Sequence, residues 1–317
     1  MKRLIFNVGH SAGFYSEYNN MVLAILHCKH YKIDFVLYSK TANFGVENGW
    51  SDYFLPFCKE VSDSFHRDMN KRFPEKPHTI YFSRCLKSLY RAAKKHDCNQ
   101  IMPYCNLKIQ DSLAVRKLKK EYQFDYFTHD IFYDVRRWTG IYTNRELQRQ
   151  CQLIVEDTYR FNDSTKKLIK EKMDLLPFKK GEYVGLHIRG GDKIIETDLF
   201  SPEIYMNRLM EISNVKNVFV FTDDYRLFEI LSDKYKDFNF YTLTSSDELG
   251  YDQQIIDQKD TDLLFRKERM TFLFSCMEIL SNAKCIVGTI SSNPGMFLGM
   301  ICPEKIYYVD TEEWRII

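Results

Sequence analysis

Seven residues, His187-Ile188-Arg189-Gly190-Gly191-Asp192-Lys193, concentrate four ionisable side chains around a pair of glycines. Two glycines let a backbone turn tightly and approach a ligand closely. Arg189 and Lys193 supply positive donors for phosphate oxygens, and Arg can supply them bidentately. A solvated Gly-Gly turn is the plainer alternative, but it needs no such crowding of His, Arg, Asp and Lys. A second segment, Phe221-Thr222-Asp223-Asp224, carries carboxylates able to accept from a ribose or a base. Either Asp would equally cap the helix that follows. The adjacent pair is not an Asp-x-Asp pattern, so no metal is expected. The third is Gly288-Thr289-Ile290-Ser291-Ser292-Asn293-Pro294-Gly295. Pro294 suits a first helical position and Ser292 or Asn293 the cap. A helix N-terminus with free N–H groups and adjacent hydroxyls binds anions, although a serine-rich start can also be a cap and nothing more.

Together the three segments describe a diphosphate site. If the diphosphate is a leaving group, the same donors stabilise the charge that grows as its bond breaks. Glu196, three residues after Lys193, is either a general base for an incoming hydroxyl or a solvated loop residue.

The elements that must position these groups follow from periodicity. Tyr183–Ile188, Asn217–Thr222, Phe238–Leu243, Cys285–Thr289 and Ile306–Val309 read as strands. Between them, Pro202–Ile212, Tyr225–Tyr235, Asp262–Asn282 and Pro294–Met300 read as helices. Strands separated by helices pair in parallel, in a Rossmann-like unit that binds ligands beyond the carboxyl ends of its strands. All three segments fall at such ends. The first half opens with a strand at Leu4–Val8, a helix over Tyr18–Cys28 and a strand at Ile33–Tyr38. From about Cys58 to Tyr159 it reads as largely helical, including Asp111–Tyr122 and Asn144–Phe161. The Lys-rich stretch Asp163–Lys180 reads as the passage between two domains, 1–175 and 176–317. Trp50, Tyr53, Phe54, Trp138 and Tyr142 could stack on sugars, but aromatic rings more often fill cores.

Composition bounds the partners. The 317 residues suffice for two domains. Their formal charge of +2 gives no global field for nucleic acid or an anionic membrane. With 44% hydrophobic and 28% charged residues, wholesale disorder is excluded. The 13 Gly and 8 Pro fall well below the average usage of about 12% for the two together, against a turn-rich all-β fold. Nine cysteines, an odd number with no Cys-x-x-Cys pair, predict free thiols in a reducing compartment. No apolar run approaches the roughly 18 residues of a membrane span. A cytoplasmic protein with no integral membrane segment is the expectation.

Set in order, these residues resemble the α-1,6-fucosyltransferase family, within the wider GDP-fucose-using GT-B enzymes. The likeness rests on His187-x-Arg189 with its sequel Lys193…Glu196, Phe200-Ser201-Pro202 and Tyr205-Met206. Phe221-Thr222-Asp223-Asp224 is similar to the second motif, and Leu280-Ser281-Asn282-Ala283 with Val287 through Ser292 to the third. Gly13-Phe14 and Gly49-Trp50…Phe54-Leu55-Pro56 look like landmarks of the first half. The resemblance implies an α/β GT-B fold of two Rossmann-like domains, a helix-rich acceptor side and a C-terminal donor-binding parallel sheet. It implies inverting, metal-independent transfer of fucose from GDP-fucose to a hydroxyl of an oligosaccharide or glycan acceptor, with no cofactor beyond the donor substrate. By matched position Arg189 holds the β-phosphate and His187 the nucleotide. Lys193 assists the leaving group or positions the base, and Glu196 is that base. Asp223 and Asp224 belong to the donor site. Ser291, Ser292 and Asn293 close over the diphosphate, and Gly13 and Phe14 reach it from the first domain. Where the family has an acidic guanine-reading residue this chain has Cys276. A thiol cannot accept from guanine as a carboxylate does, which admits another GDP- or UDP-sugar as donor. A nucleotide- or glycan-binding protein without catalysis is the further alternative. No stretch of this sequence resembles the animal enzymes' N-terminal anchor or C-terminal SH3-like module, so a bacterial or viral enzyme building surface glycans is the expectation.

Overall fold

The computed structural model describes residues 3–9, 12–62, 124–128, 141–190, 200–250 and 262–316. Among these, two parallel sheets organise the chain. The first orders β3 (Lys59–Glu60), β2 (Asp34–Tyr38), β1 (Arg3–Asn7) and β4 (Phe124–Thr128). The second orders β7 (Asn239–Tyr241), β6 (Asn217–Thr222), β5 (Val184–Ile188), β8 (Ile286–Gly288) and β9 (Ile306–Tyr308). Strand β4 lies inside the stretch read from sequence as largely helical. It pairs in parallel with β1 instead, Ile5 opposite Tyr126. The predicted helix Asp111–Tyr122 lies outside the described residues.

Local chemistry sets the helix starts. α1 (Phe14–Tyr31) is longer than its apolar spacing predicts and begins directly after Gly13. α2 (Asn144–Thr158) opens on a capping box, Thr143 and Glu146 each satisfying the other's backbone N–H. α3 (Asp163–Met173) occupies most of the supposed inter-domain passage, because the Asn162 side chain caps it through the Thr165 N–H. α4 (Pro202–Ile212) starts on its proline, and Asp224 caps α5 (Tyr225–Lys234). Asp262 caps α6 (Leu263–Asn282), and Ser292 caps α7 (Asn293–Ile301).

Strand alternation divides the core. Val184, Leu186 and Ile188 join Tyr205, Leu209 and Leu231 on the face covered by α4 and α5. On the other face Gly185 makes room for Leu280 of α6, since a Cβ there would sit 2.6 Å from Leu280 Cδ2. That face belongs to a larger cluster joining α1, α2, α3, α6 and α7 around Phe14, Trp50, Phe54, Phe274 and Phe297. Trp50, Tyr53 and Phe54 are at most 2% exposed. They are core rings, and stacking on sugar is closed to them; Trp138 lies outside the described residues.

Among the described residues, three side chains stitch the first sheet's helices and loops to the second's through main-chain oxygens. Asn19 Nδ2 donates to Asn293 O at 3.0 Å, Gln148 Nε2 to Gly299 O at 2.8 Å, and Arg266 Nη1 to Gly45 O at 2.7 Å.

Candidate active site

The second sheet's order places its topological switch between β5 and β8, where neighbouring connections leave in opposite directions. A crevice opens at the carboxyl ends of such strands. His187 pairs with Phe221 and Ile188 with Thr222, so Arg189 arrives level with Asp223. On the other side Leu186 pairs with Val287, so the Thr289–Ser292 turn follows the strand end next to the one that carries Arg189. The three segments singled out from sequence therefore stand on adjacent strand ends.

Asp223 and Asp224 divide their work. Asp223 Oδ1 accepts the Gly190 N–H at 2.6 Å, and its Oδ2 lies 3.7 Å from Arg189 Nε. Asp224 is the helix cap: it accepts from the Arg226 N–H and takes the Arg226 guanidinium at 2.9 and 2.6 Å. Hydrogen bonding from Arg226 holds its carboxyl below the usual range. Gly190 is required by closeness, since a Cβ there would lie 2.7 Å from Asp224 Cβ.

His187 is 3% exposed and packs its ring 5.3 Å from Phe221. Burial, aided by the Arg189 charge, lowers its pKa to about 3, so the imidazole is neutral at physiological pH. Its Nδ1 meets no hydrogen-bond partner among the described residues.

In the third segment Ser292 Oγ accepts the Gly295 N–H and donates to Thr289 O, both at 3.1 Å. The Ile290 and Ser291 N–H groups donate to the two oxygens of Asp310, at 2.9 and 3.0 Å. Two donors that the sequence offered to an anion are thus already engaged. Among the described residues the Ser292 and Asn293 N–H groups meet no acceptor, at the positive end of α7. Tyr205 of α4 reaches the third segment. It is 1% exposed and hydrogen-bonds Thr289; burial, then the nearby Asp310 and Asp223 carboxylates, raise its pKa.

From the first sheet, Gly13 stands exposed at the start of α1. The Phe14 ring instead turns into the core, 4.9 Å from Phe274 and 5.6 Å from Phe54. The Asn19–Asn293 hydrogen bond and the Tyr15 ring, 4.6 Å from Phe297, bring α1 against α7. Cys276 is fully buried on α6, and burial pushes its thiol well up, leaving it uncharged. Gly191, Asp192, Lys193 and Glu196 lie outside the described residues.

The family model of alpha-(1,6)-fucosyltransferase N- and catalytic domains matches residues 99–293, well over half of the chain. The protein belongs to this fucosyltransferase family. Its fold is that of the GT-B fucosyltransferases. NodZ from Bradyrhizobium superposes with a TM-score of 0.52 at 12% identity, over 96% of this chain and 95% of NodZ. The structure of NodZ soaked with GDP-fucose gives the same score over 95% and 94%. A variant of Arabidopsis thaliana FUT1 in complex with GDP gives 0.55 at 10% identity, over 97% of this chain and 70% of that one. No curated protein matches the chain by sequence. As a family member the fucosyltransferase-like chain is a glycosyltransferase. Asp310, Tyr205 and Thr289 are the site residues that motif reading left without a role. The one available signal was that Asp310 follows β9 by two residues, at a strand's carboxyl end.

Proposed function

We propose that this enzyme transfers fucose from GDP-fucose to a hydroxyl of a glycan acceptor, with inversion at the anomeric carbon and without a metal ion. The reading divides the chain into an acceptor-side domain over 1–175 and a nucleotide-sugar domain over 176–317. The observation that carries it is that Arg189 and the start of α7 follow neighbouring strand ends, those of β5 and β8, at one switch point. A guanidinium and a helix N-terminus there can hold a diphosphate from two sides. NodZ, with the same fold, was soaked with GDP-fucose.

In this mechanism the donor's diphosphate lies between Arg189 and the Ser292 and Asn293 N–H groups. Its charge increases as the C1–O bond breaks, and the fixed donors stabilise it there. His187, kept neutral by burial, is the residue this reading assigns to the nucleotide. Gly13 closes from the first sheet. Glu196 takes the proton of the attacking hydroxyl, and Lys193 supports the leaving group. The free thiols of Cys28, Cys58, Cys151, Cys276, Cys285 and Cys302 support a reducing, cytoplasmic setting.

A different nucleotide sugar is the second reading, resting on Cys276 standing where the family has an acidic residue. Transfer assays with GDP-fucose, other GDP-sugars and UDP-sugars separate the two. With the preferred donor, Arg189→Ala is expected to lose more than about tenfold in rate with the fold retained. Glu196→Gln is expected to stop transfer while donor binding persists. Full turnover by Arg189→Ala would remove the diphosphate site as drawn.

A further inference from the structure

The start of α7 is held by a carboxylate, which is unexpected beside a site for an anion. Asp310 stands just past β9 and spends both oxygens on consecutive backbone N–H groups, Ile290 at 2.9 Å and Ser291 at 3.0 Å. The same C-terminal segment grips α7 from beyond. Tyr308 Oη donates to Gly295 O at 3.2 Å, and Trp314 Nε1 donates to Met296 O at 3.0 Å. Val309 N–H donates to Gly288 O at 3.0 Å, fixing the strand that delivers Asp310. Gly295 leaves no slack, since a Cβ there would fall 1.8 Å from Thr289 O.

We propose that Asp310 is a positioning residue for the donor diphosphate. It fixes the Ile290–Ser291 peptides so that the next two N–H groups, of Ser292 and Asn293, point together into the crevice. This rests on the donor-site reading above. Two effects of the carboxylate oppose each other. Its charge repels a nearby diphosphate, weakly in a solvated crevice where the effective dielectric is high. Its two hydrogen bonds order the turn before the ligand arrives, which removes an ordering cost from binding. Positioning prevails if the turn is loose without Asp310.

The two effects differ in sign, and that makes the test decisive. In Asp310→Asn the shape is kept and the charge is lost, while an amide NH2 faces one of the two backbone donors. Calorimetric titration with GDP is expected to show binding weakened about tenfold, the scale of one lost hydrogen bond. In steady-state assays the donor KM rises and the acceptor KM stays. Amide exchange at Ile290 and Ser291 quickens in the folded variant. Glu312→Gln removes an exposed charge two residues along and leaves GDP binding unchanged. Should Asp310→Asn fail to fold, Asp310→Ser carries the same expectation. Binding as tight as the parent's, or tighter, in a folded Asp310 variant overturns the proposal. If the unaltered protein binds neither GDP, UDP nor pyrophosphate, the donor-site reading itself has failed. Exchange at the two amides would then still report whether Asp310 orders the turn.

Discussion

At the scale of single residues, His187 shows how far burial can change what a side chain offers. An exposed imidazole would be half charged near pH 6.5; this one stays neutral down to about pH 3. The sign of the linkage follows. Below about 6.5 the unfolded chain binds a proton that the folded one refuses, so acid favours unfolding. Urea melts at pH 7, 5 and 4 should therefore show a component of stability lost on acidification. It amounts to at most about 1.4 kcal/mol per pH unit for this single proton. His187→Gln is expected to flatten that component; an identical pH profile in the variant would show that His187 does not carry it. Identity and strand-end position of His187, Arg189, Asp223 and Ser292 were legible in the chain, because motif glycines and strand periodicity are local signals. The partition between Asp223 and Asp224 was not. Both suit a cap, and the choice depends on Gly190 and Arg189 arriving from the neighbouring strand. The same holds for Ser292, whose hydroxyl is consumed by the Gly295 N–H and Thr289 O, so the proposed diphosphate site uses its backbone N–H instead.

At the scale of elements, the turn from β8 into α7 is the most constrained part of the site. Gly295 and Gly288 lie seven residues apart and differ sharply in tolerance. A methyl at 295 would overlap a backbone oxygen at 1.8 Å, whereas at 288 its nearest neighbour is His187 Cβ at an ordinary 3.6 Å. Gly295→Ala is expected to cost on the order of 1–3 kcal/mol, as overpacking does, and to depress donor binding with it. Gly288→Ala should leave melting temperature and binding near the parent's. Equal melting curves for the two variants would contradict the tight turn. Helices α4 to α7 could be read from sequence to within a residue or two, since their apolar repeats and caps agree. β4 could not: Phe124–Thr128 has no alternation, and its pairing partner β1 lies more than a hundred residues away. α3 was obscured by lysines that suggested a linker, although its Asn162 cap and buried Thr165 and Ile169 make it a packed helix.

At the scale of the whole molecule, one aromatic cluster serves both sheets. Phe274 of α6 is fully buried, 4.9 Å from Phe14, 5.3 Å from Tyr53 and 5.1 Å from Phe54. Phe274→Ala is expected to cost about 3–5 kcal/mol. Calorimetric unfolding of the parent and the variant should each show one transition; two resolved transitions would mean that the sheets own separate cores. Sequence supplied the rings but not this sharing, because nothing local tells a ring which of two sheets it will cover.

The three stitches across that seam all end on peptide oxygens, which every amino acid supplies alike. Homologous chains can therefore exchange side chains at Asn293 without losing the bond, provided the main chain keeps its path. Drift along this boundary is cheap on the accepting side. The demand for identity falls on the donors, Asn19, Gln148 and Arg266, and there a covarying change should be sought.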